Sequence, residues 1–157
     1  MFSSLCFKSL ALWGVATTRR TFERLIDANL NRFKEGVRVV EDVFRYLYDQ
    51  PSLALQLKHL RHSATDIVAQ NLALHTLYAH RDSVCDVLQD SDTLPKEGDP
   101  ILSMLQANFK RAQESARVLE ECFKYAYPLQ PPPTFKTLRY QLYVLEKECI
   151  DFFTQKS

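Results

Sequence analysis

Apolar residues return every three or four positions through most of this chain. Ile26, Leu30, Phe33, Val37, Val40, Phe44 and Leu47 keep that spacing, which puts them on one face of a helix. The pattern predicts a first helix from about Thr18 to Asp49, with Thr21 as its candidate N-cap. A second helix opens at Pro51, a residue suited to the first helical position. It carries Leu53, Leu57, Leu60, Ala64, Ile67, Val68 and Leu72 toward Tyr78. A third starts at Asp99-Pro100, a cap followed by a first-turn proline, and carries Ile101, Leu105, Phe109, Ala112, Ala116, Leu119 and Phe123. The fourth opens at Pro133 or Thr134 and carries Phe135, Leu138, Leu142, Leu145, Cys149 and Phe152. Helices of roughly 22 to 30 residues are about 33 to 45 Å long.

Short breaks follow the first and third helices, so each pairs with its successor as an antiparallel hairpin. The stretch from His80 to Pro100 is the one long connection, and long loops often carry function. The hairpins are also repeats. "ANLNRFKEGVRVVEDVFRYLY" (Ala28 to Tyr48) answers "ANFKRAQESARVLEECFKYAY" (Ala107 to Tyr127), with ten of 21 positions identical. After a one-residue slip, "LKHLR" (Leu57 to Arg61) answers "FKTLR" (Phe135 to Arg139). A duplicated hairpin predicts an all-α, four-helix bundle-like fold with a pseudo-twofold axis. The expected division is a leading segment over 1–20 and one helical domain over 21–157. Within that domain, repeat one is 21–80, the loop 80–100 and repeat two 101–157.

Composition narrows the function classes. Three glycines, Gly14, Gly36 and Gly98, are too few for the turns of a barrel, sandwich or nucleotide-binding parallel sheet. A net charge of +1 without a basic face speaks against a nucleic-acid partner. Cys6, Cys85, Cys122 and Cys149 are widely spaced, which reads as free thiols in a reducing cytoplasm. The apolar run from Leu10 to Ala16 is too short to span a membrane. The expectation is therefore a cytoplasmic protein without a membrane partner.

The repeat keeps polar residues as well as apolar ones. A step of three lags by about 60° on a helix, so Asn29, Arg32, Glu35, Arg38 and Glu41 spiral around it. Asn29 and Gly36 fall within the apolar face, and Arg32 falls at its edge. Glu35, Arg38 and Glu41 form an (i, i+3) charge ladder, whose plain reading is solvated ion pairs. Asn29 with Arg32, repeated as Asn108 with Arg111, allows two readings. One is a buried network that fixes helix register. The other is a polar pocket between the hairpins, with two arginines facing an anionic ligand. The second copy sets Ala112 and Ala116 against Phe33 and Val37 of the first. That suits either interdigitation or room for a ring-sized ligand.

In the long connection, Arg81, Asp82 and Asp86 suit phosphate and Mg²⁺, which takes one or two carboxylates plus ligand phosphates. They equally suit a polar turn. No phosphate-loop, dinucleotide or zinc-protease motif is present.

"IDANLNRFKEGVRVVEDVFRY", "LKHLRH", "RDSVCDV" and "ANFKRAQESARVLEE", in that order, resemble the all-helical domain at the N-terminus of some thiamine-phosphate synthases, which also occurs as a separate protein. The resemblance covers about Leu25 to Tyr127. It implies thiamine biosynthesis, with ATP-dependent phosphorylation of hydroxymethylpyrimidine phosphate to the diphosphate. It also implies ATP with Mg²⁺ as cofactors, and a phosphorylated pyrimidine and a nucleotide as ligands. The synthase barrel is not in the sequence, so a complete thiamine-phosphate synthase is not expected. Asp27, Asn29, Asn31, Arg32, Glu35, Gly36 and Arg38 match in the first copy. Asn108, Arg111, Glu114, Arg117 and Glu120 match in the second, and Arg81, Asp82 and Asp86 in the loop.

Within that set the expected catalytic residues are Arg32, Glu35, Arg111 and Glu114. Asn29, Arg38, Arg81, Asp82, Asp86, Asn108 and Arg117 are the expected ligand contacts, and Asp82 and Asp86 the metal ligands. The family loop reads R-D-x-x-G-D-x-G, but Cys85 and Leu88 occupy its glycine places here. That departure keeps other readings open. One is a non-catalytic helical module that binds a thiamine-pathway protein or a phosphorylated metabolite. Another is a plain homodimerising bundle.

Overall fold

The structure, a computed structural model, describes residues 15–81, 98–128 and 131–156, with side chains described from 22 to 155. Among the described residues the regular elements are all helices. α1 spans Val15–Asp42 and runs into a single π-helical turn, Val43–Leu47. α2 spans Pro51–Asn71, α3 Leu74–His80, α4 Pro100–Ala126 and α5 Phe135–Lys156. α1 packs most extensively on α4, α1 and α2 form one hairpin, and α4 and α5 form the other. α2 also meets α5, and α3 lies on α1.

The starts follow the local chemistry. Asp99 caps α4, its Oδ1 accepting hydrogen bonds from the Ile101 and Leu102 amides at 2.9 Å each. Pro51 and Pro100 stand in the first turns of α2 and α4. No described helix is long and apolar enough to cross a membrane.

The core is the expected stripe, with three changes at its ends. α1 begins by Val15, so Thr21 is an interior residue rather than a cap, and the expected boundary at 20/21 falls inside a helix. Leu47, expected in the core, is 59% exposed. The π-helical turn widens the repeat, so the place after Phe44 passes to Tyr48, whose ring packs 5.8 Å from that of Phe44. Likewise Phe153 is buried where Phe152 was expected, and Phe152 sits edge-on to Phe44 and Tyr48 instead.

The second helix stops at Asn71, short of Tyr78. The Asn71 side-chain amide donates to the Ile67 carbonyl at 2.8 Å, and Leu72 turns to extended backbone. The Leu72 amide still donates to the Val68 carbonyl at 3.0 Å, and α3 begins afresh two residues later.

Gly36 sets how closely α1 and α4 approach. A Cβ there would lie 2.8 Å from the Asn108 carbonyl oxygen and 3.4 Å from the Ala112 Cβ. Phe33, Val37, Ala112 and Ala116 are all fully buried beside it, so large against small is interdigitation. Gly36→Ala gains about 1 kcal/mol of helix propensity. It must also push a backbone oxygen aside, and overpacking costs typically about 1 to 3 kcal/mol. The expected net result in a thermal melt is a loss of stability. A gain would mean that the helices do not meet this closely.

Cys122 and Cys149 are buried free thiols, and burial raises their pKa values to about 11 and about 12. An unfolded cysteine ionises near pH 8.5. Above that pH the unfolded chain binds fewer protons than the folded one, so stability falls as pH rises. From pH 9 to pH 10 the two thiols together should remove roughly 2 kcal/mol. Denaturant midpoints measured at the two pH values check this, and an unchanged midpoint contradicts it.

Candidate functional site

The polar residues of the repeat separate into three places. The first is a groove between α1 and α4 of about 450 Å³, lined by Asn29, Arg32, Lys110, Arg111, Glu114 and Ser115 among others. α1 supplies Asn29 and Arg32, three residues apart on one face. α4 supplies the rest, with Arg111, Ser115 and Val118 at helical spacing on the face that meets α1. Asn29 is 5% exposed and Ser115 3%, while Arg32, Lys110, Arg111 and Glu114 are exposed. The groove therefore has a small polar floor and a charged rim, with three cations around one carboxylate. The Asn29 amide group donates to the Leu25 carbonyl at 2.9 Å. Asn108 makes the matching bond to Met104 at 2.8 Å, but Asn108 does not line the groove. Its carbonyl abuts Gly36 instead.

The second place is the ladder, where Glu41 is clamped from a second helix while Arg38 keeps an exposed pair with Asp42 on its own helix. Glu41 is 1% exposed. Arg61 reaches across from α2 to bond it at 3.1 Å, and Arg38 approaches at 3.5 Å. The second copy repeats this clamp with Arg139 of α5 on Glu120 at 2.9 Å and Arg117 at 3.1 Å. Arg38 also bonds Asp42 at 3.0 Å, and Arg117 bonds Glu121 at 2.8 Å. The Asp42 hydrogen bond is the main reason the Arg38 pKa is raised, and the Tyr143 and Glu120 bonds raise that of Arg139. Arg38 and Arg117 thus face carboxylates on their own helices, away from the groove.

The third place is the seam between α1 and α3. Arg81 makes a two-pronged ion pair with Asp27, Nε to Oδ2 at 2.8 Å and Nη2 to Oδ1 at 2.7 Å. Asp27 is 5% exposed and accepts a further bond from Asn31 at 3.4 Å. The Asp27 bond raises the Arg81 pKa, with a smaller contribution from Glu35. His80 meets Glu23 at 2.7 Å one residue earlier. Arg81 therefore pins α3 to α1, and neither Arg81 nor Glu35, expected at the site, lines the groove. Asp82 and Asp86 lie outside the described residues.

Among the described residues no three His, Cys, Asp or Glu side chains cluster as metal ligands. The groove does fit a phosphate-borne Mg²⁺, which requires only one or two protein carboxylates, and Glu114 supplies one. Sequence reasoning missed Lys110 and Ser115. They answer Asn31 and Gly36 in the first copy, so a search for identities between the copies passes over them. The helical spacing from Arg111 would have found Ser115, four residues on, but not the adjacent Lys110.

Comparison with known proteins decides the family. The model of the ThiD2 family matches residues 24–148. The chain belongs to that family. This ThiD2-family chain is 41% identical over 128 residues to a thiamine-phosphate synthase of Nostoc punctiforme, covering 78% of this chain and 34% of the relative. It is 36% identical over 138 residues to a thiamine-phosphate synthase of Thermosynechococcus vestitus, covering 84% and 36%. A thiamine-phosphate synthase of Synechocystis is 36% identical over 124 residues, covering 78% and 34%. The ThiD2-family chain spans about a third of the length of these curated relatives. No solved structure matches it.

Proposed function

We propose that the chain acts in thiamine biosynthesis, transferring the γ-phosphoryl group of ATP to hydroxymethylpyrimidine phosphate. Family membership and the similarity to thiamine-phosphate synthases support the pathway. The observation that carries the chemistry is the convergence of Arg32, Lys110 and Arg111 on one groove beside Glu114.

A phosphate monoester has its second pKa near 6, so at neutral pH it is already a dianionic nucleophile. Its oxygen attacks the γ-phosphorus, the bond from that phosphorus to the β–γ bridging oxygen breaks, and ADP leaves with the electron pair. No general base is required. What the protein must supply is position and positive charge against two anions brought together.

Arg32 and Arg111 present planar forks that bind phosphate oxygens in pairs. Lys110 adds a third charge, and Asn29 and Ser115 give the floor hydrogen-bonding groups. Glu114 would hold the Mg²⁺ that arrives with ATP, an ion that neutralises phosphate charge.

A second reading is a non-catalytic module that binds a phosphorylated metabolite or a thiamine-pathway protein. The replacement of the loop glycines by Cys85 and Leu88 favours it, because glycine lets backbone amides approach a phosphate. One assay separates the readings. The protein is incubated with ATP, Mg²⁺ and hydroxymethylpyrimidine phosphate, and the diphosphate is sought by mass spectrometry. Stoichiometric ADP and diphosphate are expected. Neither product, from folded protein beside an active family member, overturns the kinase.

A further inference from the structure

Two further cavities lie at the turns of the hairpins, outside the groove. Glu41, Arg45, Asp49, Leu55 and Lys58, with neighbouring residues, line about 450 Å³ at the α1–α2 turn. Glu120, Lys124, Tyr127, Thr134, Phe135 and Lys136, with neighbours, line about 350 Å³ at the α4–α5 turn.

The cavities share a plan. Each holds one cation from its first helix, Arg45 or Lys124, and one from its second, Lys58 or Lys136. These are aligned positions in the two copies. Arg45 and Lys124 each lie over the exposed tyrosine that follows, at 5.0 and 5.3 Å from the ring centre.

The charge balance differs from that of the arginine clamps beside them. Glu120 is already held by Arg139 and Arg117. Neither Lys124 nor Lys136 forms an ion pair among the described residues. The α4–α5 cavity therefore has two surplus positive charges beside one partly exposed ring, that of Tyr127. The α1–α2 cavity carries an added carboxylate, Asp49, held at φ +49°, and its walls are aliphatic. It is the same cavity with part of the surplus cancelled and without the ring.

We propose that the cavity between the end of α4 and the start of α5 is a second binding site, for a small organic dianion: a phosphate group carried on a flat ring. Lys124 and Lys136 bind the phosphate from two sides with charge-assisted hydrogen bonds. The Thr134 hydroxyl lies within the same wall. The Tyr127 ring, held 5.3 Å from that of the buried Phe123, covers the ligand ring's apolar surface. Lys124 follows Glu114 by ten residues, about 15 Å along α4, so this site and the groove are separate. The inference stands whether or not the groove is a kinase site.

The test is a titration of the ¹⁵N-labelled full chain with phenyl phosphate and, separately, with inorganic phosphate. Phenyl phosphate should shift the amide signals of Lys124, Tyr127, Phe135 and Lys136, and bind several-fold more tightly than inorganic phosphate. Lys124→Gln with Lys136→Gln should weaken it roughly tenfold, equivalent to losing about 1.4 kcal/mol. Arg32→Ala should leave these shifts in place. Both lysines are exposed, and circular dichroism verifies that the double variant is folded. Shifts confined to the groove residues, or affinity indifferent to the double substitution, overturn the site. Equal affinity for the two probes overturns the ring-bearing ligand class.

Discussion

Arg61→Met lowers the stability of the protein by about 3 kcal/mol, because it strands a buried carboxylate. The Glu41 side chain is 2% exposed and that of Arg61 17%. With Arg61 gone, Glu41 retains only Arg38 at 3.5 Å, whose own side chain is 44% exposed and already bonded to Asp42. For a domain of this size the loss corresponds to a fall in Tm of roughly 6 to 12 °C. Arg38→Ala, acting at the exposed side of the same carboxylate, costs no more than about 1 kcal/mol. Arg139→Met costs less than Arg61→Met, since Glu120 is 16% exposed and can recover some hydration. Pairing Arg61→Met with Glu41→Gln should restore much of the loss, because the buried charge goes with its partner. Thermal melts of the single and double variants check the ordering. A melt of Arg61→Met within a degree of the parent contradicts the burial of the clamp.

The largest functional effect belongs to the groove arginines. Arg32→Ala and Arg111→Ala should each lower kcat/KM for the phosphorylated pyrimidine by about 100-fold or more, a loss near 2.7 kcal/mol of transition-state stabilisation. Each removes charge-assisted hydrogen bonds to phosphate, worth about 1.5 to 3 kcal/mol apiece. Both residues are exposed, so stability should change by only about 0.5 kcal/mol. Activity would then fall while the melting curve stays in place, which distinguishes a site residue from a structural one. Arg32→Lys should recover activity only in part, because an ammonium keeps the charge but loses the planar fork. Equal activity in Arg32→Ala and the parent would remove the groove from the mechanism.

The bundle was legible in the sequence wherever a local rule governed it. The apolar spacing located the four long helices, Asp99-Pro100 and Pro51 marked two starts, and Asn29 on an apolar stripe is buried. What escaped depends on partners far away in sequence. The ladder at Glu41 looks solvated from within α1 because its clamp comes from α2. The signal was nevertheless present: "LKHLR" and "FKTLR" repeat Arg61 as Arg139, a charge retained on the neighbouring helix. The π-helical turn left no mark in the apolar spacing, which continues to Leu47 as if the helix were regular. The break at Leu72 was equally hidden, since the apolar pattern continues through it and the bond that Asn71 makes to Ile67 also occurs at Asn29 and Asn108 inside unbroken helices. In the groove, the search for residues shared by both copies found Arg32 and Arg111. It missed Lys110 and Ser115 because a groove on one flank of a seam need not be repeated on the other.

The proposed kinase reaction places the phosphorylated pyrimidine in the α1–α4 groove. The most direct test is to titrate ¹⁵N-labelled protein with hydroxymethylpyrimidine phosphate and map the amide shifts. The prediction is saturable shifts centred on Asn29, Arg32, Arg111, Glu114 and Ser115, lost in the Arg32→Ala/Arg111→Ala double variant. Shifts that centre elsewhere on the bundle, or no saturation at millimolar ligand with the protein folded, would contradict it.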